Sequence, residues 1–112
     1  KKECISSGGE KIFPHEVEEI LLDHPDIQQV CVIGVPDEKW GQSVRAVVVL
    51  KSGAQLTAEA VMAHCEGRMA GYKKPRSVIF APSLPISPVG KVQRREVKEN
   101  FGSVLTNASA EA

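Results

Sequence analysis

Aromatic residues and cysteine pairs are scarce in this sequence, and each scarcity excludes a class of protein. Only 4% of the 112 residues are Phe, Trp or Tyr, too few for the stacking array with which α+β modules bind single-stranded RNA. The three cysteines are an odd number without a Cys-x-x-Cys pair, so a disulfide framework is not expected. The three histidines lack metal-ligand spacing with one another or with the cysteines, and a zinc site is therefore not expected either.

Net charge and long apolar runs are also missing. The formal net charge is zero, so the surface as a whole does not attract nucleic acid or anionic lipid, and no apolar run is long enough to span a bilayer. The cysteine usage and the lack of a recognisable signal peptide predict a reduced, cytoplasmic setting. The charge is nevertheless uneven: residues 66–98 carry eight Lys/Arg against two Asp/Glu, whereas residues 1–65 carry six against ten. One part of the chain can therefore face an anion.

The chain has the composition of an ordinary folded domain, with 42% hydrophobic and 25% charged residues. Its patterns predict, in order, a hairpin around Gly8-Gly9, an amphipathic helix, two β-branched strands, a helix, a strand and a closing helix. The predicted ranges are 4–12, 14–24, 29–35, 43–50, 57–72, 76–82 and 92–101. The helix over 57–72 is expected to be the longest, and the loose C-terminal tail is expected at 103–112, which leaves one domain over 1–102.

This order of elements predicts an α+β fold. We expect a small two-layer sandwich, in which helices pack on one face of a short central sheet of about three strands, with an added N-terminal β-hairpin. Such an architecture hosts many functions and does not identify one by itself.

A single lysine, Lys91, follows a glycine in the stretch SLPISPVGKVQRREVK. Glycine lets a loop approach a ligand closely, and lysine brings a point positive charge on a flexible stem, which suits phosphate or carboxylate oxygens. The loop is not a Walker phosphate loop, because Val92 stands where that motif needs Ser or Thr. A second basic group spans AGYKKPR and QRREVK. For both features a solvated surface charge is the alternative interpretation.

Four stretches in order, ISSGGEKIFPHEVEEIL, VIGVPDEKWGQ, GYKKPRSVIF and LPISPVGKVQRREV, resemble the C-terminal domain of acyl-CoA synthetases. These enzymes belong to the adenylate-forming superfamily, and the resemblance covers residues 1–101. The stretch GGEKIFPHEVE is more similar to fatty-acyl or aryl-CoA ligases than to amino-acid adenylation domains.

The resemblance implies a two-step ligase that uses ATP and CoA. A large N-terminal adenylation domain of the same polypeptide would bind ATP, Mg²⁺ and a carboxylic acid, and this chain would be its rotating C-terminal domain, inactive alone. Lys91 matches the family's catalytic lysine, which acts in adenylation. Gly8, Gly9 and Glu10 match the stretch that lines the pantetheine path during thioester formation.

Four further positions are implied by the same resemblance. Lys2 matches the hinge position between the domains, and Lys11 matches a basic position near the nucleotide. Trp40 belongs to a recurrent Trp-Gly pair, for which a partly buried loop anchor is the alternative to a ligand role. Lys73 lies in the basic group that would help to hold the CoA phosphates.

Two other functions remain open from the sequence. The same domain could serve an adenylation enzyme whose thiol acceptor is a carrier protein, or it could be a standalone binding or regulatory module of the same fold. Such a module would not need a lysine at position 91.

Overall fold

Two β-branched runs form the centre of the fold. The computed structural model describes residues 4–103, and within them strand β3 (Ile27–Asp37) pairs antiparallel with β4 (Gly41–Leu50), while β5 (Ser77–Phe80) joins β4 in parallel. The sheet order is therefore β3-β4-β5, and it is preceded by a separate two-stranded hairpin of β1 (Ile5–Ser7) and β2 (Glu10–Ile12). The elements are β1 Ile5–Ser7, β2 Glu10–Ile12, α1 Pro14–Leu22, β3 Ile27–Asp37, β4 Gly41–Leu50, α2 Ala58–His64, β5 Ser77–Phe80 and α3 Arg94–Phe101, with a 3₁₀ turn at Gly71–Lys73. The predicted α+β class, three-stranded sheet and N-terminal hairpin are confirmed.

Helices cover both faces of the sheet. On one face α1 and α2 bury Val17, Leu21 and Val61 against alternate residues of all three strands. On the other face α3 buries Val97 against the remaining apolar residues of β3 and β4. The expectation that the helices lie on one face is therefore wrong. The reason is visible in the strands, because continuous rather than alternating apolar runs present a hydrophobic surface on both sides.

The second helix is shorter than predicted. α2 begins after Thr57, whose hydroxyl accepts a hydrogen bond from the Ala60 amide at 3.0 Å, and it ends at His64. Beyond it the amides bond to carbonyls three residues back, and Gly67 adopts a left-handed φ of 75° that ends the turn. With seven residues it is shorter than α1, which has nine, so the prediction of a longest helix over 57–72 is wrong.

Some predictions fall beyond the described residues. Lys2, the predicted hinge, and nearly all of the predicted tail, residues 104–112, lie outside them. Within residues 4–103 no helix is long and apolar enough to cross a membrane.

Candidate functional site

The hairpin turn brings backbone rather than side chains to the surface. Gly8 and Gly9 have φ values of 58° and 87°, which match a type I′ turn and favour glycine at both positions. The two glycines differ in their surroundings: a Cβ on Gly8 would lie 2.7 Å from Cε3 of Trp40, whereas a Cβ on Gly9 would meet nothing within 4 Å. Glu10 and Lys11, which follow, are exposed. The absence of a side chain at Gly8 therefore allows the Trp40 ring to pack against the turn, whereas Gly9 borders open space.

The Trp40 ring is held by the loop between β3 and β4. The carboxylate of Asp37 accepts hydrogen bonds from the amides of Lys39 and Trp40 at 2.8 and 2.9 Å, and the Trp40 amide is the main cause of a lowered Asp37 pKa. The guanidinium carbon of Arg76 lies 4.7 Å from the Trp40 ring centroid, within cation–π range. We call residues 8–11, Trp40 and Arg76 together the hairpin surface.

Two basic residues of the stretch AGYKKPR have ion-pair partners within the domain. Lys73 Nζ lies 3.3 Å from a carboxylate oxygen of Glu16 and 5.9 Å from the centroid of the Tyr72 ring. Lys74 Nζ lies 2.6 Å from a carboxylate oxygen of Glu66. Because both ammonium groups are partly neutralised, the positive charge of this stretch available to a ligand is smaller than the sequence indicates.

Lys91 lies on a tightly bonded loop. The amide of Ser87 donates to the Lys91 carbonyl at 2.8 Å, and the amide of Gly90 donates to the Ser87 carbonyl at 2.8 Å. Gly90 has a φ of 88°, and the neighbouring Val89 is 82% exposed. Lys91 is exposed, and its ammonium forms no ion pair with any residue from 4 to 103. The loop therefore holds its backbone rigidly while presenting an available cation.

Among residues 4–103 no hydrogen bond, ion pair or ring contact joins Lys91 to the hairpin surface. The Lys91 loop leads into α3, whose first residue, Arg94, donates to the Val32 carbonyl of β3 at 2.8 Å. The hairpin surface lies at the far end of that strand, beyond Asp37. Asp37 stands five positions after Val32, roughly 17 Å further along the strand at about 3.3 Å per residue. The Lys91 loop and the hairpin surface are thus attached near different points along β3.

Three ionic residues with clear structural roles were not predicted from the sequence. Glu18 and Arg94 form an ion pair. The sequence pattern contains no signal for this pair, because each residue stands beside one of the same type, Glu19 or Arg95, and nothing distinguishes the two neighbours. By contrast, a signal existed for Arg45, which is a lone charge within an apolar strand. It is buried and donates to Ser77 Oγ at 2.8 Å and to the Phe101 carbonyl at 2.7 Å, and burial lowers its pKa.

The described residues contain no cluster of metal ligands. Among residues 4–103 no three His, Cys, Asp or Glu side chains are grouped so that they could hold a metal ion. What the site offers chemically, over these same residues, is an unpaired ammonium group at Lys91 and, on the hairpin surface, an open backbone turn with the exposed Lys11 beside it, next to an aromatic ring and a guanidinium.

Comparisons with known proteins agree with this architecture. The indoleacetate–CoA ligase of Aromatoleum aromaticum is 48% identical over 99 residues, which are 88% of this chain and 19% of that protein. The oxalate–CoA ligase of Arabidopsis thaliana is 43% identical over 100 residues, 89% of this chain and 20% of that protein. The chain therefore spans about a fifth of the length of these relatives.

Solved structures show the same fold. A fatty acyl CoA synthetase from Mycobacterium tuberculosis superposes with a TM-score of 0.85 at 36% identity, over 92% of this chain and 20% of that one. Apo MatB from Rhodopseudomonas palustris gives a TM-score of 0.88 at 33% identity, over 94% of this chain and 21% of that one. The model of the family described as AMP-binding enzyme C-terminal domain matches residues 16–91. The chain belongs to the AMP-binding enzyme C-terminal domain family.

Proposed function

We propose that this chain is the mobile C-terminal domain of an ATP-dependent acyl-CoA synthetase. The whole enzyme would convert a carboxylic acid, ATP and CoA into acyl-CoA, AMP and pyrophosphate. The observation that carries the proposal is that, within the part of the chain that the structure describes, one domain holds an unpaired lysine on a hydrogen-bonded loop and an open glycine turn, with no bond between the two. Two such places suit an enzyme that presents different parts of one domain in two successive steps.

Lys91 would act in the first step. A carboxylate oxygen of the acid attacks the α-phosphorus of ATP, the bond to the bridging oxygen breaks, and pyrophosphate leaves. Negative charge gathers on the oxygens around the α-phosphorus, and an ammonium group aimed at them stabilises the transition state. Lys91 is suited to this role because no ion pair within residues 4–103 competes for its charge.

The hairpin surface would act in the second step. The thiol of CoA attacks the acyl carbonyl of the adenylate, its proton is lost and AMP leaves. Gly9 supports a narrow pantetheine path, since no atom lies within 4 Å of a Cβ built there. Glu10 and Lys11 are exposed beside it, and Trp40, next to Arg76, borders the same space. Lys73 would contribute only after leaving Glu16, which makes it the weakest member of the set.

The partners in this proposal lie outside the described chain. The N-terminal adenylation domain would bind ATP and the acid and would supply the Mg²⁺ site, and Lys2 would be the hinge. The names of the relatives indicate the range of acids, from oxalate and indoleacetate to medium-chain and long-chain fatty acids.

The test separates the two half-reactions in the full-length protein that carries this domain. Oxalate, indoleacetate, octanoate and palmitate are supplied with ATP and CoA, and the accepted acid is used for ATP–pyrophosphate exchange and for thioester formation from the supplied acyl-adenylate. We expect Lys91→Ala to lower exchange by about a hundredfold to a thousandfold and to leave the second reaction nearly unchanged. Lys51→Ala, which alters another exposed lysine at the end of β4, is the matched control.

Three outcomes would contradict the proposal. Equal loss of both half-reactions in Lys91→Ala would exclude alternation between two parts of the domain. Thioester formation on a carrier protein but not on CoA would indicate the other class of adenylation enzyme. A native polypeptide near 12.1 kDa, with Lys91→Ala silent in every assay, would indicate a standalone module.

A further inference from the structure

We propose that Glu18 and Arg94 are positioning residues for the Lys91 loop, which they fasten to the free edge of the sheet. The inference rests on the proposed function, in which Lys91 acts in adenylation. Neither residue lies on the loop itself, and neither is offered as touching a substrate.

The free edge of β3 is closed by side chains instead of by another strand. β3 is the outer strand of the sheet, so its outward amides and carbonyls need other partners. A carboxylate oxygen of Glu18 accepts from the Val32 amide at 2.8 Å, and Nη1 of Arg94 donates to the Val32 carbonyl at 2.8 Å. Arg94 and Glu18 also pair directly. These three groups close a ring of hydrogen bonds at one residue of the strand.

The ring is sheltered from solvent. The Glu18 side chain is 15% exposed and the Arg94 side chain 28% exposed, and Nη1 of Arg94 also lies 3.6 Å from the buried Cys31 sulfur. Partly desolvated, charge-assisted hydrogen bonds are stronger than surface ion pairs. The guanidinium therefore fastens the start of α3 to α1 and β3 together.

This attachment is close to Lys91 in the chain. Arg94 is the first residue of α3 and stands three positions after Lys91. The preceding residue, Gln93, bonds through its amide to the Pro85 carbonyl at 2.9 Å and closes the base of the loop. If the ring opens, the first turn of α3 and the base of the loop lose this polar attachment to the sheet, and the turn keeps the apolar packing of Val97. A displacement of about 1 Å at a catalytic group can cost a hundredfold in rate.

The hairpin surface has its own fastenings. The Ser6 amide donates to the Gln42 side chain at 2.9 Å, and the Gly8 amide donates to the Trp40 carbonyl at 2.9 Å. Because neither bond involves Glu18 or Arg94, opening the ring should disturb the Lys91 loop much more than the hairpin. If the ion pair only stabilised the domain as a whole, opening it would loosen the Lys91 loop and the hairpin surface to the same degree.

The test uses the full-length protein with Glu18→Gln and, separately, Arg94→Lys. Amide hydrogen exchange of Gly90, Lys91 and Gln93 is measured first, because it needs no substrate. We expect exchange at these amides to accelerate roughly tenfold or more, with the Gly8 amide unchanged. Glu19→Gln and Arg95→Lys, the neighbouring exposed positions, are the matched controls for exchange.

The half-reactions give the second measurement. With the accepted acid, Glu18→Gln and Arg94→Lys should lower ATP–pyrophosphate exchange by about tenfold to a hundredfold, while thioester formation from supplied adenylate stays within about threefold of the wild type. Glu19→Gln should leave both rates unchanged. Lys91→Ala is assayed beside them.

Each result has one meaning. If amide exchange in the loop is unaffected, or if both half-reactions fall equally, the positioning role is wrong. If Lys91→Ala abolishes adenylation but neither ring variant lowers it, the positioning role fails while the proposed function stands. If Lys91→Ala itself leaves adenylation intact, the proposed function fails, and faster loop exchange would then show a structural fastening without a catalytic consequence.

Discussion

Replacing Gly8 by alanine tests the packing of the hairpin against Trp40. Alanine in the left-handed conformation observed for Gly8 costs about 1–2 kcal/mol. The added Cβ would lie 2.7 Å from a Trp40 ring carbon, so the ring must move, and such overpacking costs about 1–3 kcal/mol more. The free energy of unfolding should therefore fall by about 2–5 kcal/mol, a large part of the roughly 5–15 kcal/mol typical of a domain.

Gly9 provides the matched control. It has the same sign of φ, but a Cβ built there meets nothing within 4 Å. Gly9→Ala should therefore cost only the backbone part, about 1–2 kcal/mol. The assay is urea unfolding followed by circular dichroism, with the free energy extrapolated to water.

A double-mutant cycle identifies the cause. In a Trp40→Ala background the collision disappears, and Gly8→Ala should then cost about 1–2 kcal/mol, as at Gly9, which gives a coupling of about 1–3 kcal/mol. Equal destabilisation by Gly8→Ala and Gly9→Ala, or a cycle without coupling, would refute the reasoning that Trp40 occupies the space beside Gly8.

Three further predictions concern buried groups. Cys4 is exposed whereas Cys31 and Cys65 are buried, so a thiol reagent should modify Cys4 rapidly and the other two only on unfolding; fast modification of all three would contradict the described packing. Burial raises the pKa of the Cys65 thiol from 9.0 to about 11, so the folded protein keeps this proton at a pH where the unfolded chain has already lost it. The resulting contribution to stability is fully present below pH 9 and is lost as the pH rises from 9 to 11. That loss is roughly 2–3 kcal/mol and should disappear from the pH profile of Cys65→Ala; an unchanged profile would show that other groups cause it. Arg45→Ala should lower the free energy of unfolding by about 2–6 kcal/mol in urea titrations, because it leaves the Ser77 hydroxyl and the Phe101 carbonyl without their donor, whereas Ser77→Ala should cost only about 1 kcal/mol; equal effects would exclude Arg45 as the centre of the network.

Much of the fold could be predicted from local patterns. The paired glycines predicted the hairpin, and the β-branched runs predicted β3, β4 and β5, because both signals lie within a few residues of chain. The length of α2 was overestimated, since apolar spacing continues past His64 while Gly67 turns the backbone. The position of α3 was also missed. Its amphipathic pattern shows that one side is buried, but not which face of the sheet it covers.

The candidate site, too, could be predicted from the sequence only in part. The four sequence stretches were sufficient to recognise the family, and the family comparison confirms that recognition. The roles of Lys91, Gly9 and Trp40 stay predictions, to be tested by the half-reactions. Contacts decide which charges are available, and these could not be predicted: Lys73 and Lys74 have carboxylate partners brought from other parts of the chain, whereas Lys91 has none among residues 4–103.

By itself, the sequence determined the family, the α+β class, the hairpin turn and the loop that carries Lys91, because each is specified by neighbouring residues. Only the tertiary structure decided that Gly8 packs against the Trp40 ring while Gly9 borders open space, and that Glu18 and Arg94 meet across 76 positions of the chain. These contacts join residues that are remote in the sequence. The packing of the helices on the sheet brings them together, and no local sequence pattern encodes that packing.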